Sequence, residues 1–490
     1  MYKNSPSHNI VLIVMDTVRA DTMRLLNKQV SAIEVSDSSH KSTVFTSAYA
    51  NAPWTLPSHA TLLTGTVPTY HGTHAGHKCL NDSRLTLAEI LGDEGYETVA
   101  VSNNTWISEE FGFDQGFETF YKNWQYFQSD TDLGRIARQK EGFNKLTKAT
   151  KTIFDGNPVR NLANAIYGQF FRKSEDDGAA RTNDWIDEWL NKRDSSRPFF
   201  LFVNYLEPHL EYRPPKEHAI DYLPEGVTYE EAMEVPQDAW GYIAGTTAMT
   251  EGDLEILQAL YRSEISYLSE RIQEVVQMLK ATGEWEDTLF IVTSDHGENI
   301  GEHGLMDHQY ALYDTLLHVP LFVHGGPFEG GSIDNLVQLV DLPPTILDVL
   351  DIDAPTAREQ FQGISFHPDT PETREYAIAE YLAPQPSMDA LKKRIGDLPD
   401  SVRRYDRSLR SIRTEKYKYI RGSDGSQELY DVQNDPNETT DIADKCGEIV
   451  DELDIQLDEW LDSFEHADYS DDVSMDEQTK TRLEDLGYLQ

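Results

Sequence analysis

The stretch Asn9-Ile10-Val11-Leu12-Ile13-Val14-Met15-Asp16-Thr17-Val18-Arg19-Ala20-Asp21 decides the fold. Its apolar run is rich in β-branched residues, shows no alternation of polar and apolar positions, and breaks abruptly into charge. That pattern reads as a strand buried on both faces, residues 9–15, delivering the carboxylate of Asp16 at its carboxyl end. In open α/β sheets ligands bind beyond the carboxyl ends of the strands. An Asp after a strand is also a common helix cap or turn residue, so Asp16 gains meaning only from what converges on it.

Outward from this strand, short apolar runs alternate with helical patterns. A helix starts at residues 58–64, another covers 85–94 and stops at Gly95, and 98–102 is again a strand. This βαβ rhythm predicts a mainly parallel sheet covered by helices on both faces. Residues 199–204 and 288–293 add two further buried strands. Residues 123–192 are polar, with helical periodicity over 179–191, and read as a helical insertion and candidate lid. Residues 212–250, rich in Pro and Glu, read as irregular; a long amphipathic helix follows over 253–279, ended by Gly283. Beyond about residue 370 the texture changes to short strands, 376–381 and 411–421, a turn at 422–425 and a helix over 441–460. The expected division is 1–370, 371–464 as a smaller C-terminal subdomain, and 465–490 as an acidic tail.

The 490 residues are globular in composition, with 39% apolar and 26% charged residues, but 85 acidic against 42 basic side chains leave a net charge of −43. Nucleic acid and anionic membranes are poor partners for such a chain. An acidic excess spread along the whole chain suits a high-salt organism. The two cysteines, Cys79 and Cys446, are too few for a disulfide framework or a cysteine metal site. No stretch approaches the roughly 20 apolar residues of a membrane span, and the expected location is the cytoplasm. Oligomeric state is not legible.

Histidines mark the chemistry. Seven of the 15 fall in two short windows, His59 to His77 and His296 to His308, mixed with hydroxyls and carboxylates as hard divalent metals and proton transfer require. The first window lies in Thr55-Leu56-Pro57-Ser58-His59-Ala60-Thr61-Leu62-Leu63-Thr64-Gly65. Pro57 and Ser58 suit a first helical turn, which puts Thr55 just before a helix N-terminus, where free N–H groups favour an anion or alkoxide. The second window lies in Thr293-Ser294-Asp295-His296-Gly297-Glu298, followed by Gly301-Glu302-His303-Gly304 and His308. Here a buried strand ends in adjacent Asp and His, and Gly297 supplies the backbone freedom that turns both toward one cation.

Together these stretches resemble the sulfatase family of the alkaline phosphatase superfamily. The family signature C-x-P-x-R, a helix and L-L-T-G corresponds to Thr55-Leu56-Pro57-Ser58-His59 with Leu62-Leu63-Thr64-Gly65. Further matches are Pro68-x-x-His71-Gly72, Leu87-Ala88-Glu89-Ile90-Leu91 with Gly95-Tyr96, Glu207-Pro208-His209, Gly301-Glu302-His303-Gly304-Leu305, Val319-Pro320-Leu321 and Glu428-Leu429-Tyr430-Asp431. The resemblance implies an α/β, alkaline phosphatase-like fold, a mainly parallel sheet flanked by helices with a smaller C-terminal α+β subdomain. It implies a hydrolase of sulfate or phosphate esters of small molecules or glycans.

The chain departs from the pattern at three places. Thr55 stands where sulfatases carry the Cys or Ser that becomes formylglycine, so no formylglycine is expected and Thr55 itself is the candidate nucleophile. His59 replaces the arginine that holds the nucleophile, and His308 replaces the lysine expected thirteen residues beyond Asp295; both swaps turn permanent charges into pH-dependent ones. The usual Asp-Asp after the first strand is Asp16-Thr17. The implied metal set is therefore Asp16, Thr55, Asp295 and His296, holding one divalent ion; a His ligand suits Zn²⁺ or Mn²⁺ better than Ca²⁺, with Mg²⁺ also open. By the same resemblance His209 and His308 join Thr55 and His59 as catalytic residues; His71 and His303 are candidate substrate contacts, and Arg19 reads as support for the loop after the first strand. Two other readings stay open, a phospho-group transferase and a non-catalytic binder of sulfated or phosphorylated glycans.

Overall fold

Residues 9–15 form β1 (Asn9–Met15), and every one of them is buried. Fully burying each of its aliphatic side chains contributes about 1.5–3 kcal/mol. The computed structural model describes residues 8–26, 42–81, 83–123 and 176–467. Most of the insertion expected at 123–192 and most of the tail expected at 465–490 lie outside these residues.

Around β1 the chain builds an eight-stranded sheet. Its other strands are β2 (Thr43–Tyr49), β3 (Glu97–Ser102), β4 (Thr119–Lys122), β5 (Phe199–Tyr205), β6 (Thr288–Ser294), β9 (His318–His324) and β10 (Gly331–Gln338). Their order is β10-β2-β9-β6-β1-β5-β3-β4. All neighbours run parallel except β9, which is antiparallel to both β2 and β6. The reason is local. Parallel neighbours need a crossover to the far end of the sheet, whereas the segment from β6 to β9 turns back at the carboxyl end of β6. That segment, residues 295–317, contains a small hairpin, β7 (Asn299–Ile300) with β8 (Met306–Asp307), and so lies across the ligand-binding edge.

Register does the rest. Met15 pairs with Ser294 on one side and Tyr205 on the other, and Ser102 pairs with Asn204. The residues that follow four strands, Asp16, Asp295, the Glu207–His209 turn and Asn103–Asn104, therefore emerge along one row. Helix α1 (Ala20–Leu26) follows the first of these, and α2 (Thr55–Thr64) is buried along its whole length.

The helix expected at 253–279 runs Glu251–Thr282, opened by a capping box between Thr250 and Asp253 and closed by Gly283 at φ 78°. The helix Ala179–Lys192 packs against it, Asn183 Nδ2 donating to the Arg271 carbonyl at 2.7 Å, and against the sheet through Trp189 on Phe199. Residues 212–250, expected to be irregular, include three short helices, Lys216–Ala219, Tyr229–Ala232 and Ala239–Ile243.

A second, four-stranded antiparallel sheet has the order β11 (Ala377–Tyr381), β12 (Leu409–Arg413), β13 (Tyr417–Gly422) and β14 (Gln427–Asp431). The run 411–421, read as one strand, is two: the Thr414 hydroxyl accepts the Tyr417 N–H at 3.0 Å and reverses the chain. Helix Gly447–Leu461 covers this sheet, setting Val450, Leu453 and Leu457 on Ile378, Ile412, Tyr419 and Leu429. The buried Lys418 ammonium ties it to the main body at Asp314, 2.7 Å away, and also meets Glu438 of its own part at 2.8 Å. Among the described residues no helix is long and apolar enough to cross a membrane.

Candidate active site

Asp16 and Asp295 leave neighbouring strands side by side. Asp295 Oδ1 accepts the N–H groups of Thr17 (3.3 Å) and His296 (2.8 Å), and Asp16 Oδ2 accepts Asn104 Nδ2 at 2.6 Å. Each carboxylate keeps one oxygen, Asp16 Oδ1 and Asp295 Oδ2, buried and without a hydrogen-bond donor. His296 Nδ1 donates to the Gly297 carbonyl at 2.9 Å, which leaves Nε2 as an acceptor, 3.3 Å from Asp295 Oδ2 and 3.8 Å from Asp16 Oδ1. One donor atom from each of the three residues lies within 4.8 Å of the others. Burial first, and the charge of Asp16 second, push Asp295 well above the usual carboxylate range. Burial likewise raises Asp16, opposed by His209 and the Asn104 hydrogen bond, and holds His296 well below the ordinary imidazole value. Two unpartnered carboxylate oxygens facing a neutral imidazole nitrogen form a set that fits a divalent cation.

Thr55 opens this set on one side. The helix begins three residues earlier than expected, so Thr55 is the first residue of α2 and Trp54 its extended N-cap. Its Oγ1 lies 3.4 Å from His296 Nε2 and the residue is 2% exposed. Ser58, one turn on, donates its hydroxyl to the Asp295 carbonyl at 2.6 Å and pins the helix end to β6.

His59 touches both. Its Nδ1 donates to the Thr55 carbonyl at 2.9 Å and lies 3.4 Å from Asp295 Oδ2, while Asn204 Nδ2 donates to Nε2 at 3.3 Å. Burial lowers its pKa to about 4, partly offset by the Thr55 carbonyl. His59 is thus neutral near pH 7 and takes up its charge only in acid.

His308 behaves oppositely. Burial works against its charged form, yet Asp307 at 2.5 Å and Glu298 at 3.5 Å from Nδ1 hold it well above the ordinary value. Its ring centroid lies 4.5 Å from that of His296 and 5.3 Å from that of His209. Two non-glycine residues with positive φ border the site, Thr17 at 62° and Asp307 at 71°. Such backbone costs about 1–3 kcal/mol per residue and persists only where its surroundings over-determine it.

Gly297 is needed for a different reason from the one the sequence suggests. It is not among the positive-φ glycines; a Cβ there would run into the Thr315 carbonyl oxygen of the returning loop. Arg19 binds Asp21 and Glu302, strapping the loop after β1 to the loop after β6.

The structure thus brings together Asp16, Thr55, His59, Asp295, His296, His209 and His308. It does not bring in His71 or His303. His71 is buried behind α2, Nδ1 accepting the Thr73 N–H and Nε2 facing the Thr61 hydroxyl, and burial lowers its pKa to about 3. His303 stacks on Tyr313 at 3.7 Å between ring centroids, beside the C-terminal sheet. Asn104, Glu298 and Asp307 were given no role by sequence reasoning. Asn104 follows the carboxyl end of a strand just as Asp16 does, and that position was its signal.

The family described as Sulfatase matches residues 8–352 of the chain. Arylsulfatase K of Rattus norvegicus is 25% identical over 85% of this chain and 71% of its own length. The phosphonate monoester hydrolase of Agrobacterium radiobacter shares the fold with a TM-score of 0.64 at 19% identity, over 93% of this chain and 95% of that one. A protein solved with its substrate D-glucosamine-2-N,6-O-disulfate does so with a TM-score of 0.64 at 18% identity, over 93% and 98%.

Proposed function

The chain belongs to the sulfatase family, and from that membership we propose that it is a metal-dependent hydrolase of sulfate or phosphate-type esters of small molecules or glycans, with the unmodified hydroxyl of Thr55 as nucleophile. The observation that carries this reading is the position of Thr55 Oγ1, at a helix N-terminus and 3.4 Å from His296 Nε2, beside the unpartnered oxygens of Asp16 and Asp295.

Asp16, Asp295 and His296, with Thr55, would hold the cation. When bound it supplies positive charge that acidifies the hydroxyl and polarises a non-bridging ester oxygen. The remaining work falls to the chain. The first N–H groups of α2 stabilise negative charge developing on Thr55 Oγ1. His59 fixes the first turn of α2 through the Thr55 carbonyl and, being neutral, adds no competing charge. His308, held protonated by its two acids, faces the anionic head, and His209 beside it is the group placed to donate a proton to the leaving oxygen. Thr55 Oγ1 bonds to sulfur or phosphorus as the bond to the leaving alcohol oxygen breaks. Because a threonine ester has no second hydroxyl through which to collapse, water attack at sulfur or phosphorus then returns the hydroxyl and releases the inorganic anion.

The test compares aryl sulfate, phosphate and phosphonate esters with wild type and Thr55→Ala in a metal-supplemented, high-salt buffer. Turnover that falls at least about a thousandfold in Thr55→Ala supports the nucleophile; turnover within tenfold of wild type refutes it.

A further inference from the structure

We propose that Glu298, Asp307 and His308 form a second divalent-cation site beside that of Asp16, Asp295 and His296. The hairpin register builds it: Asn299 pairs with Asp307, so Glu298 and His308, the next residues outward on each strand, sit opposite each other. One donor atom from each of the three residues lies within 4.8 Å of the others, and all three are buried. Glu298 is fully buried, yet Oε2 meets no donor among the described residues and Oε1 only the 3.5 Å approach of His308 Nδ1. The side-chain oxygen of the next residue, Gln309 Oε1, is likewise buried and unpartnered.

Charge balance points the same way. Asp16, Asp295, Glu298 and Asp307 place four buried carboxylates along a short path, and His296 and His308 are in ring contact between the two groups. The neighbouring Arg19 guanidinium is spent on Asp21 and Glu302 and reaches Glu298 only at its carbonyl oxygen, 3.3 Å away. One divalent ion together with a protonated His308 offsets three of the four carboxylates; a second ion, with His308 neutral as its ligand, offsets all four. Two carboxylates and an imidazole suit Mn²⁺, Zn²⁺ or Mg²⁺. The second ion takes the place of the His308 Nδ1 proton between Asp307 and Glu298, so this point stays positive whether it holds a proton or a metal.

This goes beyond the proposed function, which needs one cation. Full-length protein stripped of metal, loaded with Mn²⁺ and desalted is assayed for metal content, and by electron paramagnetic resonance for coupling between ions. Two Mn²⁺ per chain with a spin-coupled signal are expected, falling to one uncoupled ion in Glu298→Gln and in Asp307→Asn. One Mn²⁺ per wild-type chain, or two that both variants retain, overturns the second site and leaves the first standing. No bound Mn²⁺ overturns both sites together. Should the variants not fold, the wild-type count and coupling decide.

Discussion

Replacing Asn104 by Ala tests whether Asp16 is held for a cation by its neighbours. The Asn104 amide donates to Asp16 Oδ2 at 2.6 Å in a fully buried setting. A hydrogen bond to a charged group contributes about 1.5–3 kcal/mol, and its loss frees Asp16 to rotate away from Asp295. Converted to affinity, that is about 10- to 150-fold weaker cation binding, in line with the roughly 10–100-fold typical of residues that orient a ligand without touching the metal. The substitution also strands the Trp106 N–H, which donates to Asn104 Oδ1 at 2.9 Å, so a stability loss of about 1–3 kcal/mol accompanies it. The assay is calorimetric titration with Mn²⁺ or Zn²⁺, paired with ester turnover across a metal series. The metal concentration for half-activation should rise about 10–100-fold while turnover at saturating metal stays within a few-fold of wild type. Unchanged metal affinity with a hundredfold fall in saturated turnover would refute the reasoning, because Asn104 would then act on the reacting groups and not through Asp16.

Glu207, buried and near Asp176 and Asp177, has its pKa raised to about 8. Native protein thus holds a proton that the unfolded chain releases near pH 4.5, and stability falls as pH rises between these values, by up to about 1.4 kcal/mol per unit. Glu207→Gln should remove that fall, read as the difference in urea midpoints between pH 5 and 8; parallel pH profiles for the two proteins would contradict it. Gly297→Ala should cost upwards of about 3 kcal/mol in chemical denaturation and weaken metal binding, since the Thr315 carbonyl has to move and carries the β9 connection with it; a variant of unchanged stability would show that the loop yields freely. The high-salt habitat proposed from the net charge of −43 predicts a melting temperature that climbs between 0.1 and 3 M KCl as self-repulsion is screened. A flat or falling curve would count against that habitat.

Local chemistry made much of this molecule legible. The unbroken apolar run of β1 dictated a two-sided buried strand, the alternation around it a mainly parallel sheet, and the strand-end rule pointed to Asp16 and Asp295. Thr55, His59 and His296 followed from motifs in which neighbouring residues act together. Where the sequence misled, the cause was turn geometry and side-chain orientation, which residue composition does not carry. Residues 411–421 carry strand propensity throughout, and the turn closed by hydrogen bonds between Thr414 and Tyr417 breaks them in two. His71 has the composition of a site residue, but packing turns both its nitrogens inward. Whether a histidine is charged is likewise no property of histidine: burial lowers the pKa of His59 to about 4, and two neighbouring acids hold that of the equally buried His308 well above the ordinary value. Asn104, Glu298 and Asp307 lie near Asp16 only because strand register and the returning β6–β9 segment carry them to the same edge of the sheet. Burial, strand pattern and the nearest partners that set the tautomer and charge of His59, His296 and His308 are written in short stretches of chain, but the gathering of Asp16, Thr55, Asn104 and His296 into one buried cluster joins residues far apart in sequence, and tertiary packing alone brings it about.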